Sequence, residues 1–185
     1  LRNFLEVTES IMYRDAERDV EIAALPLDDF RVTVMVDYNS PVLGSQHASL
    51  NVISDFKKEI ASSRTFCFLH ELEMLHKNGL VKGDDLNNAI VVVDRVVKDE
   101  ELESLASLFN KPKVEVQKEG ILNNIELRHQ NEPARHKLLD VIGDLALVGR
   151  PIKGQILAAR PGHAANVAFA KKLKKAMLSN KSSAP

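Results

Sequence analysis

The stretch Asn131 to Gly149, NEPARHKLLDVIGDLALVG, carries both of its own ends and one face that must be covered, so it constrains the chain more than any other segment. Asn131 can accept a bond from the free backbone N–H groups of a first helical turn, and Glu132, Pro133 and Ala134 suit the opening positions. Gly149 supplies a left-handed stop, and Pro151 forbids continuation. Between those signals Ala134, Leu138, Val141, Ile142, Leu145 and Val148 recur at the three-and-four spacing of a buried helical stripe. Beside the stripe His136, Asp140 and Asp144 follow at four-residue steps, a polar ridge that climbs about 6 Å per step. A neutral imidazole and a carboxylate one turn apart can both reach a single divalent ion. The same spacing also describes a solvated helix face with a mild ion pair, and spacing alone leaves both readings open.

A chain of 185 residues is one domain of ordinary size or two very small ones, long enough to bury a sizeable core. Its 25 basic and 26 acidic residues nearly cancel, which gives no polyanion-binding surface and argues against a nucleic-acid partner. No run approaches membrane-spanning length and the N-terminus lacks a basic region followed by an apolar one, so the expected location is the cytoplasm. The single cysteine, Cys67, excludes an internal disulfide framework and a cysteine-rich zinc site. A start at Leu1 rather than methionine suggests a fragment or processed product. At the other end, KKLKKAMLSNKSSAP fades from a basic helical turn into a polar tail or linker over 179–185.

Taken in order, Asn3 to Glu9, Val20 to Ala24 and Phe30 to Val36 alternate apolar and polar residues and are predicted strands of an antiparallel sheet. Charged Asp15 to Asp19 and Pro26 to Asp29 supply the turns. Gln46 to Ile53 is a further predicted strand, and Ser54 is placed to cap a short helix through Ala61. Arg64 to Cys67 reads as a loop or short extended piece. Phe68 to Lys77 resumes helical spacing with Phe68, Leu69, Leu72 and Leu75 inward, ending at Gly79. His70 and Glu71 begin like H-E-x-x-H, but position 74 is Met, so they read as solvated side chains. Cys67 with a distant His163 imitates a cysteine-nucleophile pair, yet no helix N-terminus follows directly to lower its pKa, and it reads as a small buried side chain. Ala89 to Val97 is the strongest strand signal. Asp99 is placed to cap a helix to about Phe109, with strands expected over Pro112 to Gln117 and Ile121 to Leu127. Ile152 to Ala159 reads as a strand ending at ARPGHAAN, where Gly162 permits a tight turn that sets His163 at the start of a helix to about Leu178.

RHKLLDVIGDLALVG, followed at a short distance by PGHAAN, closely resembles the zinc-ligand helix and catalytic-histidine loop of the UDP-3-O-acyl-N-acetylglucosamine deacetylases, zinc amidases of bacterial lipid A synthesis. SRTFCFLHELEMLHKNGL resembles the same family's substrate loop and following helix. The resemblance covers nearly the whole chain but only the second half of the family's protein. It implies an α+β fold, an antiparallel sheet layered against helices, as the second domain of a two-domain sandwich. That domain would span 1–178, with an enlarged βαβ-type insert at about 80–130 in which Glu100 to Glu119 is extra. It makes His136 and Asp140 two of three zinc ligands, Asp144 the aspartate that orients the catalytic histidine, and His163 that histidine. Thr65 matches the hydroxyl that supports the oxyanion, and Phe66 and Lys137 match contacts to the substrate head. Asp37 and Tyr38 fall where an acidic and an aromatic residue line the sugar-nucleotide site, although an edge-of-sheet turn explains them equally. Phe68, Leu69, Leu72, Val81 and Val91 match positions lining the acyl-chain passage, or are simply core. Arg18 loosely matches a basic residue ahead of the third strand.

Zinc is therefore the implied cofactor, and UDP-3-O-acyl-N-acetylglucosamine and the missing N-terminal half are the implied partners. The family's third zinc ligand and general base stand in a Glu-His pair, and no Glu-His dipeptide occurs in this chain. An isolated chain is then expected to be inactive. The alternative reading is a non-catalytic relic acting as a partner or regulatory module, against which the retained site residues argue. A metal-independent Cys/His hydrolase is the remaining one.

Overall fold

Short strands and five helices alternate along the chain in a computed structural model that describes residues 3–79, 88–118 and 120–182. They divide into two compact units: residues 1–36, 46–63 and 134–185 form the first, and 37–45 with 64–133 form the second.

The first unit is built on β8 (Ile152–Ala159), whose alternating residues Ile152, Gly154, Ile156 and Ala158 are buried as the period-two geometry of a strand requires. β2 (Ile11–Asp15) and β3 (Val20–Leu25) form an antiparallel hairpin, and β3 pairs antiparallel with β8. On the path β2-β3-β8-β4-β5, β8 also pairs parallel with β4 (Phe30–Asp37), which neighbours β5 (Ser45–Leu50). β1 (Leu5–Glu6) pairs parallel with β8 as well. The sheet is thus mixed rather than wholly antiparallel. β8 enters after a helical crossover, and such a connection permits the parallel pairing that a hairpin forbids. The expected first strand shrinks to two residues, and Ile11–Asp15 forms a strand that the pattern did not predict. Its turn is made by Asp15, whose Oδ1 accepts the Glu17 and Arg18 N–H groups, and by Asp19 at φ +52°.

α4 (Glu132–Leu145) follows its predicted bounds, continuing as a 3₁₀ turn over Ala146–Val148 to Gly149 at φ +83°. Ala134, Leu138, Val141, Leu145 and Val148 of the predicted stripe are buried, and Ile142 is half-buried. α5 (His163–Ser182) packs on β2, β3 and the 3₁₀ turn. The turn before it is made by Arg160 at φ +50°, not by Gly162, and Arg160 is held by an ion pair to Asp19 at 3.0 Å. Ser54 lies inside a 3₁₀ turn, Ile53–Asp55, and does not cap α1 (Phe56–Glu59).

In the second unit β6 (Phe66–Phe68) and β7 (Ile90–Val92) pair parallel, with α2 (Leu69–Lys77) between them in sequence. This βαβ motif begins well before the insert expected at 80–130. Phe68 is a strand residue and shares no helical face with Leu69 and Leu72. The Glu71 carboxylate accepts the Phe68 N–H at 2.8 Å, which starts the helix one residue later than expected. β7 ends at Val92, short of the predicted Val97. Its alternation divides the core: Val91 joins Leu69, Leu72, Leu105, Phe109 and Leu122, while Ile90 and Val92 join Leu43 and Ile121, against which Tyr38, Phe66 and Phe68 pack. α3 (Asp99–Leu108) has Asp99 as its first residue rather than its cap. The strands expected over 112–117 and 121–127 are reduced to the single bridges Val116↔Leu122 and Val92↔Ile121.

Candidate active site

α4 and the start of α5 carry five of the predicted site residues in the first unit. His136 Nδ1 stands 3.2 Å from the Ser63 carbonyl oxygen. A carbonyl only accepts, so the neutral ring carries its proton on Nδ1 and leaves the Nε2 lone pair free. Nε2 lies 3.4 Å from Asp140 Oδ1. Two ligands bound at 2.0 to 2.1 Å to one tetrahedral ion stand about 3.4 Å apart, so this donor pair has the span of one edge of such a site. The Ser63 contact supplies the outer hydrogen bond that fixes a ligating imidazole. Lys137 Nζ lies 3.4 Å from the other Asp140 oxygen. Among the described residues no group of three or more His, Cys, Asp or Glu side chains could hold a metal.

One turn along, Asp144 Oδ2 lies 2.9 Å from Nδ1 of His163, the first residue of α5. His163 Nε2 is then directed outward, 3.9 Å from Asp140 Oδ2. The imidazole is 69% exposed while Asp144 is only 17% exposed, an accessible ring on a sheltered carboxylate. Asn166 donates from Nδ2 to the same Asp144 oxygen at 2.9 Å. Sequence reading missed Asn166, because a polar residue in the first turn of a helix carries no mark of the carboxylate it will face.

The remaining predicted residues, Arg18 apart, belong to the second unit. Thr65 is exposed, and its carbonyl accepts the Ile90 N–H at 2.8 Å. Phe66 meets Tyr38 edge-on at 5.0 Å between ring centroids. Asp37 is exposed at the end of β4, and its Oδ1 accepts the Asn39 N–H. Phe68 is half-buried and stacks on His70. Leu69, Leu72 and Val91 have no exposed surface, so they present nothing to a ligand. Val81 lies outside the described residues. Arg18 is engaged by Asp15 at 2.8 Å. Cys67 is half-buried, and burial, with the Glu71 carboxylate adding to it, pushes its thiol up to about 11, which leaves no thiolate at neutral pH. The second unit also holds a buried ion pair that the sequence did not reveal, Arg64 with Glu132 at 2.8 Å. An apolar groove of about 670 Å³ in the first unit, lined by Phe4, Phe30, Ile142 and Leu145 among others, contains none of the predicted site residues.

The model of the UDP-3-O-acyl N-acetylglycosamine deacetylase (LpxC) family matches residues 1–106 and 104–175. The chain belongs to this deacetylase family. A bifunctional enzyme LpxC/FabZ of Chlorobaculum tepidum is 52% identical over 177 residues, which cover 94% of this chain and 38% of the relative. The bifunctional LpxC/FabZ of Bacteroides thetaiotaomicron is 42% identical over all of this chain and 40% of its own length. A UDP-3-O-acyl-N-acetylglucosamine deacetylase of Chlamydia pneumoniae is 35% identical over 92% of this chain and 52% of its own. This deacetylase-family chain therefore spans about two-fifths to one-half of the length of the relatives it matches. Among its described residues no helix is long and apolar enough to cross a membrane.

Proposed function

We propose that this chain supplies one part of a zinc-dependent amidase that removes the N-acetyl group from UDP-3-O-acyl-N-acetylglucosamine in the cytoplasm, during lipid A synthesis. The observation that carries the reading is the pairing of His136 Nε2 and Asp140 Oδ1 at 3.4 Å beside the Asp144–His163 pair at 2.9 Å. His136 and Asp140 would hold the ion, and a zinc ion so held lowers the pKa of bound water and polarises an amide carbonyl. Asp144 accepts the Nδ1 proton of His163, so Nε2 is the atom that faces the reacting group. In its protonated form Nε2–H stabilises the oxyanion and then passes its proton to the leaving amine, which departs neutral. Thr65 adds a hydroxyl to the oxyanion side, Phe66 and Lys137 hold the sugar head, and Asp37 and Tyr38 border the nucleotide. Of the positions assigned to the acyl chain, half-buried Phe68 is where we place the contact. The third ligand and the general base come from the family's other half, since a catalytic zinc needs three protein ligands and a proton acceptor.

A chimera joining this chain to the first half of the Chlorobaculum tepidum relative tests the proposal. The chain alone should not hydrolyse the substrate, and the chimera should. In the chimera His163→Ala should lower kcat by roughly 10²-fold or more with little change in KM. Full-rate hydrolysis by the isolated chain, or a wild-type rate from the His163→Ala chimera, would defeat this assignment.

A further inference from the structure

His163 has an exposed ring on the first residue of a helix, and a side chain there is free to turn unless something holds it. What holds it is one oxygen. Asp144 Oδ2 lies 2.9 Å from His163 Nδ1 and accepts Asn166 Nδ2 at the same distance. Asn166 is 1% exposed and sits one turn after His163 on α5, so both donors come from one helix and meet on a carboxylate carried by α4. The amide orientation follows from charge, because turning it over would set Oδ1 against the Asp144 oxygen. In the orientation that remains, Asn166 Oδ1 is buried with no hydrogen-bond partner. An unsatisfied buried carbonyl lowers stability, and an apolar side chain of similar size would avoid it. The asparagine is therefore poorly explained as packing and well explained by the donor it aims at Asp144.

We propose that Asn166 is a positioning residue. Its amide fixes the Asp144 carboxylate so that Oδ2 faces His163 Nδ1, and this sets the direction of His163 Nε2. The importance of that orientation rests on the amidase reading above; the orientation itself does not.

The test uses Asn166→Leu, which keeps the volume and removes the donor, and Asn166→Ala, which decides the matter should the leucine variant fail to fold. In the 185-residue chain labelled with ¹⁵N-histidine, neutral His163 should hold the Nδ1–H tautomer and should become a tautomer mixture in the variants. In the chimera, kcat should fall about 10- to 100-fold, with KM within about twofold. Asn166→Leu should melt no lower than the parent. Unchanged His163 resonances together with unchanged kcat would overturn the proposal, and so would a lowered melting temperature with both intact, which is the signature of packing alone. His163→Ala run in parallel separates the two ideas: if that variant keeps its rate the amidase reading fails, while the tautomer still decides whether Asn166 orients the ring.

Discussion

Glu132 has no exposed surface, and a carboxylate can be so enclosed only when its oxygens are met on every side. Arg64 donates from its backbone N–H at 3.0 Å, from Nε at 2.8 Å and from Nη2 at 3.0 Å, and the Arg128 N–H adds a bond at 2.7 Å. Burial pushes the carboxyl up, but the Arg64 and Arg128 bonds together outweigh it and hold the group at about 2, below the ordinary 4.5. The folded protein then binds fewer protons than the unfolded chain between those values. The contribution of Glu132 is complete above pH 4.5 and is lost as the pH falls through that window towards 2. Glu132→Gln should cost on the order of 3 kcal/mol at neutral pH, and the gap to wild type should close between about pH 4.5 and 2. Urea unfolding at pH 7 and pH 3 measures it, and a gap independent of pH would mean that the charge is not what matters. Sequence showed Glu132 only as a helix opener because its partner lies 68 residues away. Asn166 was hidden for the same reason: α4 meets α5 there only after folding.

At the scale of the elements, β8 is the strand that β1, β3 and β4 all pair with, and its tightest point is Gly154. A Cβ there would stand 2.6 Å from Val7 Cγ2, 3.0 Å from Val7 Cβ and 3.2 Å from the Leu25 carbonyl oxygen. Gly154→Ala should therefore destabilise the protein by about 1 to 3 kcal/mol, the usual scale for overpacking a close contact. Denaturant titration gives the value, and the double variant with Val7→Ala should recover part of it; equal losses with and without Val7→Ala would rule out this clash as the cause. β8 and α4 were legible because each is long enough for its hydrophobic period to speak, and α4 has Gly149 and Pro151 to end it. The short pieces were less so. Ile90 to Val92 falls inside the predicted run Ala89 to Val97 but is much shorter, its partner Phe66 to Phe68 read only as a loop or short extended piece, and the apolar run from Ile121 meets only single bridges. Local pattern cannot separate a strand from a buried loop at that length. The mixed direction of the sheet was equally out of reach, since pairing partners are chosen by the crossover and not by either strand.

Across the whole molecule, the residues proposed to bear the chemistry fall into two sets: His136, Asp140, Asp144, His163 and Asn166 among those of the first unit, Thr65, Phe66 and Tyr38 among those of the second. Most of them are proposed from two short sequence blocks, which gave no sign of their hydrogen-bond partners. The metal count is the property on which the two-set arrangement bears most directly. On the proposed reading His136 and Asp140 are the donors of one tetrahedral edge, with no third ligand beside them among the described residues, and the chain would offer half a coordination sphere. A full set of protein ligands is worth about 10 to 16 kcal/mol for zinc at neutral pH, so two donors should give roughly half, a Kd in the micromolar range or weaker. Calorimetric titration of the 185-residue chain should find that weak binding, and His136→Ala or Asp140→Ala should each abolish it. The chimera with the first half of the Chlorobaculum tepidum relative should bind at least about 100-fold more tightly, because a third ligand and a closed site add several kcal/mol. Lys137 Nζ beside Asp140 offers a control: Lys137→Met removes a competing cation from the carboxylate and should leave zinc affinity equal or higher. Nanomolar zinc bound by the isolated chain, or binding that survives the His136→Ala, Asp140→Ala double variant, would place the ion on other residues and dissolve the paired-ligand reading of α4.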